Sequence, residues 1–316
     1  MRKGLIAGLL LCAMLLCACG EASTAAAPVT RAEEPSQNPT PTAEPVLNPY
    51  RAGAFAEAEF HEELAEGDGE VRIDLSAVSQ GYVAVSARSE NRLKFQVIHD
   101  ELTYNYDIAS DGSVSVLPLQ SGNGEYRFRV MENVGESKYG EKYVASCTVE
   151  LEDEFQPFLR PSDYVSYTRN SACVAKAKDL AGQTENALGV VAGVYDFICQ
   201  SIRYDREKAA TVSSGYLPDP DETLRSGKGI CFDYASLAAA MLRSQGIPTK
   251  VIFGYVSPDG VYHAWNMFYT KETGWVTVGF EVSQNSWNRL DLTFSANGAD
   301  ADFIGDGGNY SDLYTY

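Results

Sequence analysis

A cysteine, a histidine and an aspartate follow one another in the second half of the chain. Cys231 lies in "GKGICFDYASLAAAML" (227–242), His263 in "VYHAWNMFY" (261–269) and Asp291 in "SWNRLDLTF" (286–294). Together these three side-chain types can carry out acyl transfer. A thiol at the first position of a helix meets the positive end of the helix dipole, which favours the thiolate. An imidazole can remove and return protons, and a carboxylate can hold that imidazole in one tautomer. Cysteine is equally a small hydrophobe that packs well in cores, and a lone histidine between apolar neighbours is often structural. Position alone therefore leaves both readings of Cys231 open. The order of the three residues favours the nucleophile.

Several elements must position them. From Asn170 the apolar spacing becomes helical, predicting helices over 171–181 and 184–202, the second with Thr184 as N-cap. The proline- and acid-rich stretch 216–229 reads as a loop leading into the Cys231 helix. That helix is apolar nearly all round and is therefore expected to be buried against a sheet. "GIP" (246–248) ends it, and "TKVIFGYV", a "SPDG" turn and "VYHAWNMFY" form an antiparallel hairpin, with a further strand at "GWVTVGFEV". Before this region, strands alternate over 81–87, 92–99, 102–108, 125–131 and 143–151, separated by turn signals, which predicts a β-sandwich-like domain. The expected fold class is α+β. His61 and His99 lie in the strand-rich half with no metal-ligand spacing, so no metal or cofactor is expected. The tyrosine-rich C-terminal "IGDGGNYSDLYTY" either seals a sheet edge or frays.

The segment from Val165 to Ala296 resembles the transglutaminase-like superfamily of papain-like thiol enzymes. The resemblance is carried by "GICFDYASLAAAML", then "YHAWNMFY", then an acid on a following strand. In that family the acid follows a glycine-tryptophan pair by three residues, as aspartate-proline-threonine. Here Trp275 has Gly279 at that place, whereas Trp287 is followed by Asp291, Leu292 and Thr293, as though a hairpin with "SQNS" as its turn were inserted. Asp291 is the expected orienter and Glu281 the reserve, with Leu292 replacing the usual proline. The resemblance implies a Cys231–His263–Asp291 triad that attacks amides through a thioester. Backbone N–H groups at the helix start, with Tyr216 as a side-chain donor, would stabilise the oxyanion. Water as acceptor gives a cysteine peptidase or amidase, the favoured outcome, and a lysine amine gives a crosslinking acyltransferase. A non-catalytic surface binding or scaffold protein is the reading from a different class.

The N-terminus opens with Arg2 and Lys3, an apolar run and then Leu16-Cys17-Ala18-Cys19, which resembles a lipobox. This predicts a signal peptide over 1–18, lipidation at Cys19 and anchoring at the extracytoplasmic face of a bacterial membrane. Residues 20–49 hold six of the thirteen prolines and few bulky apolar groups, so 19–49 reads as a disordered tether, with a reach of about 90 Å if fully extended. A β-rich, immunoglobulin-like domain over 50–160 and the thiol domain over 161–316 follow. Loss of Arg2 and Lys3 with the signal takes the formal charge from −18 to −20, which excludes nucleic-acid binding through a general positive field. The expected partners are a protein, peptide or peptidoglycan-peptide substrate and, through the lipid, the membrane. Beyond the signal, Cys147, Cys173, Cys199 and Cys231 contain no CxxC pair, which argues against zinc, and the first three are expected to be core thiols.

Overall fold

The structure is a computed structural model, and it describes residues 48–256, 261–277 and 310–316. The alternating first half folds as two four-stranded antiparallel sheets. One contains β1 (Glu66–Gly67), β2 (Val71–Asp74), β3 (Tyr82–Arg88) and β6 (Asp111–Pro118), in that order. The other contains β4 (Leu93–His99), β5 (Leu102–Ile108), β7 (Gly124–Gly135) and β8 (Lys138–Val149), in the order β5-β4-β7-β8. Period-two alternation places Val71, Ile73, Val83 and Val85 of the first sheet and Leu93, Phe95, Val97, Phe128 and Val130 of the second in the core. Gly81 has no room for a side chain: with φ at 84°, a Cβ there would lie 2.5 Å from the Pro157 nitrogen. His99 packs edge-on against Tyr126 at 4.6 Å, and His61 Nδ1 lies 3.1 Å from the Asp74 carboxylate.

The second half contains α1 (Ala172–Ala181), α2 (Ala187–Ser201), α3 (Arg206–Thr211), α4 (Pro220–Ser226) and α5 (Cys231–Arg243). A two-residue parallel pair joins β9 (Arg203–Tyr204) to β10 (Lys228–Gly229). The sheet here contains β11 (Thr249–Val256), β12 (Val261–Thr270), β13 (Gly274–Thr277) and β14 (Tyr310–Thr315), in the order β13-β12-β11-β14. Two expectations change. The cap of α2 is Asn186, not Thr184: its side chain accepts the Gly189 N–H at 2.8 Å, while the Thr184 carbonyl accepts from Tyr50. The stretch 216–229 also contains a helix, α4. Asp219 caps it through the N–H groups of Asp221 and Glu222, Pro220 opens it and Gly227, with φ at 65°, closes it.

Helix α5 packs on α1, α2 and α4 and lies against β11 and β12. Leu237, Met241 and Leu242 are fully buried, each such side chain contributing about 1.5–3 kcal/mol. The buried polar groups of this helix are used in joining segments. Ser236 donates to the Tyr164 carbonyl at 2.8 Å, and the Arg243 guanidinium donates to the carbonyls of Thr249, Arg160 and Tyr316 at 2.8, 2.9 and 3.2 Å. Strand β14 closes one side of β11 and carries the chain to Tyr316, whose ring meets Tyr104 and Tyr106 of β5 at 5.5 and 5.7 Å. The β-rich and helical parts thus share one hydrophobic core. None of the four described cysteines is in a disulfide. Cys173 is buried, and Cys147 and Cys199 are half-buried at the margin of that core.

Candidate active site

The turn before Cys231 is built from a sequence of constraints. Gly227 ends α4 in the left-handed region, and Lys228 pairs with Asp205 at 2.9 Å. Gly229 lies so close to α5 that a Cβ would meet the Asp233 Cβ at 2.6 Å. Asp233 itself is fully buried in the first turn of the helix. Its Oδ2 accepts the Ile230 N–H at 2.7 Å and the Lys208 ammonium at 2.7 Å, and its Oδ1 accepts the Tyr216 hydroxyl hydrogen at 2.5 Å. Lys208 also donates to the Tyr216 oxygen at 2.6 Å and lies 4.3 Å from the centre of its ring. Burial first, and then the Asp233 carboxylate, hold the Tyr216 phenol far above its ordinary range. One carboxylate therefore fixes α3, the 213–216 segment and the start of α5 to one another. The first N–H groups of α5 have no acceptor within the helix and face its open end.

Cys231, half-buried at the first position of α5, and His263, 6% exposed on β12, line the same cavity of about 520 Å³. The β11–β12 register pairs His263 with Gly254, so no side chain competes for the space across the strand pair. Three residues beyond His263, the buried Asn266 donates to the Ala235 carbonyl of α5 at 3.0 Å and to the Lys250 carbonyl of β11 at 3.1 Å. Ala235 is one turn beyond Cys231, so this amide joins the cysteine-bearing helix to the histidine-bearing strand. Tyr216 also lines the cavity, but its hydroxyl hydrogen is held by Asp233. Asp291, together with Glu281, Gly279, Leu292 and the N-terminal Cys19, lies outside the described residues. Asp233, Lys208 and Asn266 are site-building residues that the motif reading passes over. An acid at the third position of a helix is a capping-box signal that could have pointed to Asp233, while Asn266 carries no comparable mark.

Residues 174–280 match the model of the transglutaminase-like superfamily. The chain carries a transglutaminase-like domain. It is 29% identical over 135 residues to an uncharacterised protein of Mycobacterium leprae, across 39% of this chain and 44% of that protein. It is 37% identical over 62 residues to a protein-glutamine gamma-glutamyltransferase of Pseudomonas aeruginosa, across 16% of this chain and 9% of that protein. The chain thus spans less than half the length of each of these relatives. Among solved structures, the periplasmic domain of TgpA from Pseudomonas aeruginosa superposes with a TM-score of 0.34 at 14% identity, over 76% of this chain and 98% of that one.

Proposed function

We propose that the chain is a membrane-anchored thiol enzyme that cleaves amides through a thioester and passes the acyl group to water. The observation that carries this reading is the meeting of Cys231, at the start of α5, and His263, on β12, in one open cavity. The Cys231 thiolate attacks the amide carbonyl carbon, forming a C–S bond and a tetrahedral oxyanion. Protonated His263 gives its proton to the leaving nitrogen as the C–N bond breaks, leaving the thioester. Neutral His263 then takes a proton from water, whose oxygen displaces the sulfur and releases a carboxylic acid. Asp291 is assigned as the partner that orients the imidazole. Because Asp233 holds the Tyr216 hydrogen, the oxyanion role falls mainly to backbone N–H groups at the start of α5, including that of Cys231. A lipid on Cys19 would hold the domain at the extracytoplasmic membrane face, within reach of protein, peptide or peptidoglycan-peptide substrates.

The test is the pH dependence of iodoacetamide alkylation at Cys231, with and without His263→Ala. A thiol that alkylates rapidly at neutral pH and slows several-fold in the variant supports the pair. A slow thiol that is indifferent to the variant refutes it. Turnover of amides with and without a primary amine then separates hydrolysis from crosslinking acyl transfer.

A further inference from the structure

The walls of the cavity define a narrower class of substrate. Tyr164, Tyr204, Phe232, Phe253, Tyr262 and Tyr316 surround the space beside Cys231. Five of these rings form a connected set: Phe232 meets Phe253 at 4.9 Å, Phe253 meets Tyr316 at 5.5 Å and Tyr262 at 6.0 Å, and Tyr164 meets Tyr316 at 4.4 Å. Tyr262, 51% exposed, stands across the strand pair from Tyr255, 46% exposed, so the aromatic surface continues onto the rim of the opening. Among the described residues, no Asp, Glu, Lys or Arg lines this cavity. The ion pair that touches Tyr216 of the wall, Lys208 with Asp233, is closed on itself through that residue. Burial also keeps the wall phenols neutral, with Tyr164 pushed up to about 12.

We propose that this cavity selects acyl donors whose side chain beside the attacked amide is aromatic or large and aliphatic, and rejects charged ones. The proposal rests on the thiol reading above for the word donor. The selectivity itself follows from the walls. Away from Cys231 and His263, a carboxylate or ammonium entering here would meet no charged side chain among the described residues, whereas an aromatic ring would find edges and faces at stacking distance. A volume of about 520 Å³ accommodates one such side chain with the adjoining backbone. A sugar ring would also stack, but it needs several directional donors and acceptors. Among the described residues, the polar side chains available besides Cys231 and His263 are phenols, one of them committed to Asp233, and the hydroxyls of Ser213 and Ser214.

Binding measured without turnover tests this separately from catalysis. The full chain carrying Cys231→Ala is titrated calorimetrically with the N-acetyl amides of phenylalanine, leucine, glutamine, glutamate and lysine. The expected order places phenylalanine first and leucine second, with the glutamate and lysine compounds weaker by about tenfold or more. Tyr262→Ser is half-exposed and so is expected to leave the fold intact. It should reduce phenylalanine affinity several-fold, while Tyr255→Ser, on the rim, should reduce it less. Equal affinities, binding of none of the amides, or a preference unchanged by Tyr262→Ser would overturn the proposal. An inert Cys231 in the unsubstituted chain, together with aromatic selectivity in the Cys231→Ala chain, would refute the thiol chemistry and leave the selectivity standing.

Discussion

Among the described residues, two cysteines occupy the first turn of an α-helix, one of them fully buried and the other lining a cavity. Cys173 is the second residue of α1 and is completely buried. Its N–H and that of Ala172 donate to the two Asp221 carboxylate oxygens at 2.9 and 3.0 Å. Burial, and then the Asp221 carboxylate, push its thiol far above the ordinary cysteine range. Cys231 is the first residue of α5, is half-buried and lines the same cavity as His263. The carboxylate of its helix, Asp233, is turned back toward Ile230 and is neutralised by Lys208. A helix N-terminus therefore does not by itself fix the surroundings of a thiol. What matters is where the local carboxylate is directed and whether the sulfur reaches solvent.

The largest expected effect is that of Cys231→Ala, which should lower amide turnover by a factor of roughly 10³ or more. Cys173→Ala should leave turnover nearly unchanged and destabilise the fold by roughly 1 kcal/mol, as read by denaturant titration. Asp233→Asn removes the negative partner of Lys208 from a buried position. Allowing for the partial exposure of Lys208, this should destabilise the protein by roughly 2–3 kcal/mol and slow alkylation of Cys231. Asn266→Ala leaves two carbonyls without their donor, at a cost of about 2 kcal/mol. If Asn266 positions the strand, kcat should fall more than KM rises. A uniform loss of folded protein would instead mark it as purely structural.

The comparison also has a pH signature. A thiol whose value is raised in the folded state adds stability that is complete below its unfolded value, near about 8.5, and is lost as pH rises through the folded value. The free energy of unfolding should therefore decline above about pH 8.5, by at most roughly 1.4 kcal/mol per pH unit from this group, and Cys173→Ala should make the decline shallower. The smallest effect is assigned to Asp221→Asn. It weakens the cap of α1, costing about 1 kcal/mol, yet Cys173 should remain slow to alkylate because burial is the larger cause of its inertness. Rapid labelling of Cys173 in that variant would reverse the ranking of the two causes.

Much of this was legible in the sequence because it depends on periodicity and order. The apolar run after Cys231, the hairpin carrying His263 and the alternating strands of the first half are local patterns, and each appears as an element. Helix α4 was hidden because its proline and acids read as loop, although Asp219, Pro220 and Gly227 are a cap, a first-turn residue and a stop. Tyr216 could be placed near Cys231 by its position before the turn. Which group takes its hydrogen depends on Lys208 and Asp233 arriving from two other segments, and no spacing rule reports that. Asn266 escaped notice for the same reason: its partners belong to α5 and β11, and one of them is 31 residues away.

The tyrosines joining β5 to Tyr316 have a consequence for modularity. Tyr316 forms part of the cavity wall, and its outer side rests on Tyr104 and Tyr106, which belong to the other half of the chain. Cutting the chain near residue 160 would thus expose a tyrosine-rich surface and remove the support from one wall of the cavity. The two halves are packed as one unit through these rings. A substitution at Tyr104 or Tyr106 in the strand-rich half thus alters the backing of a cavity that Cys231 lines.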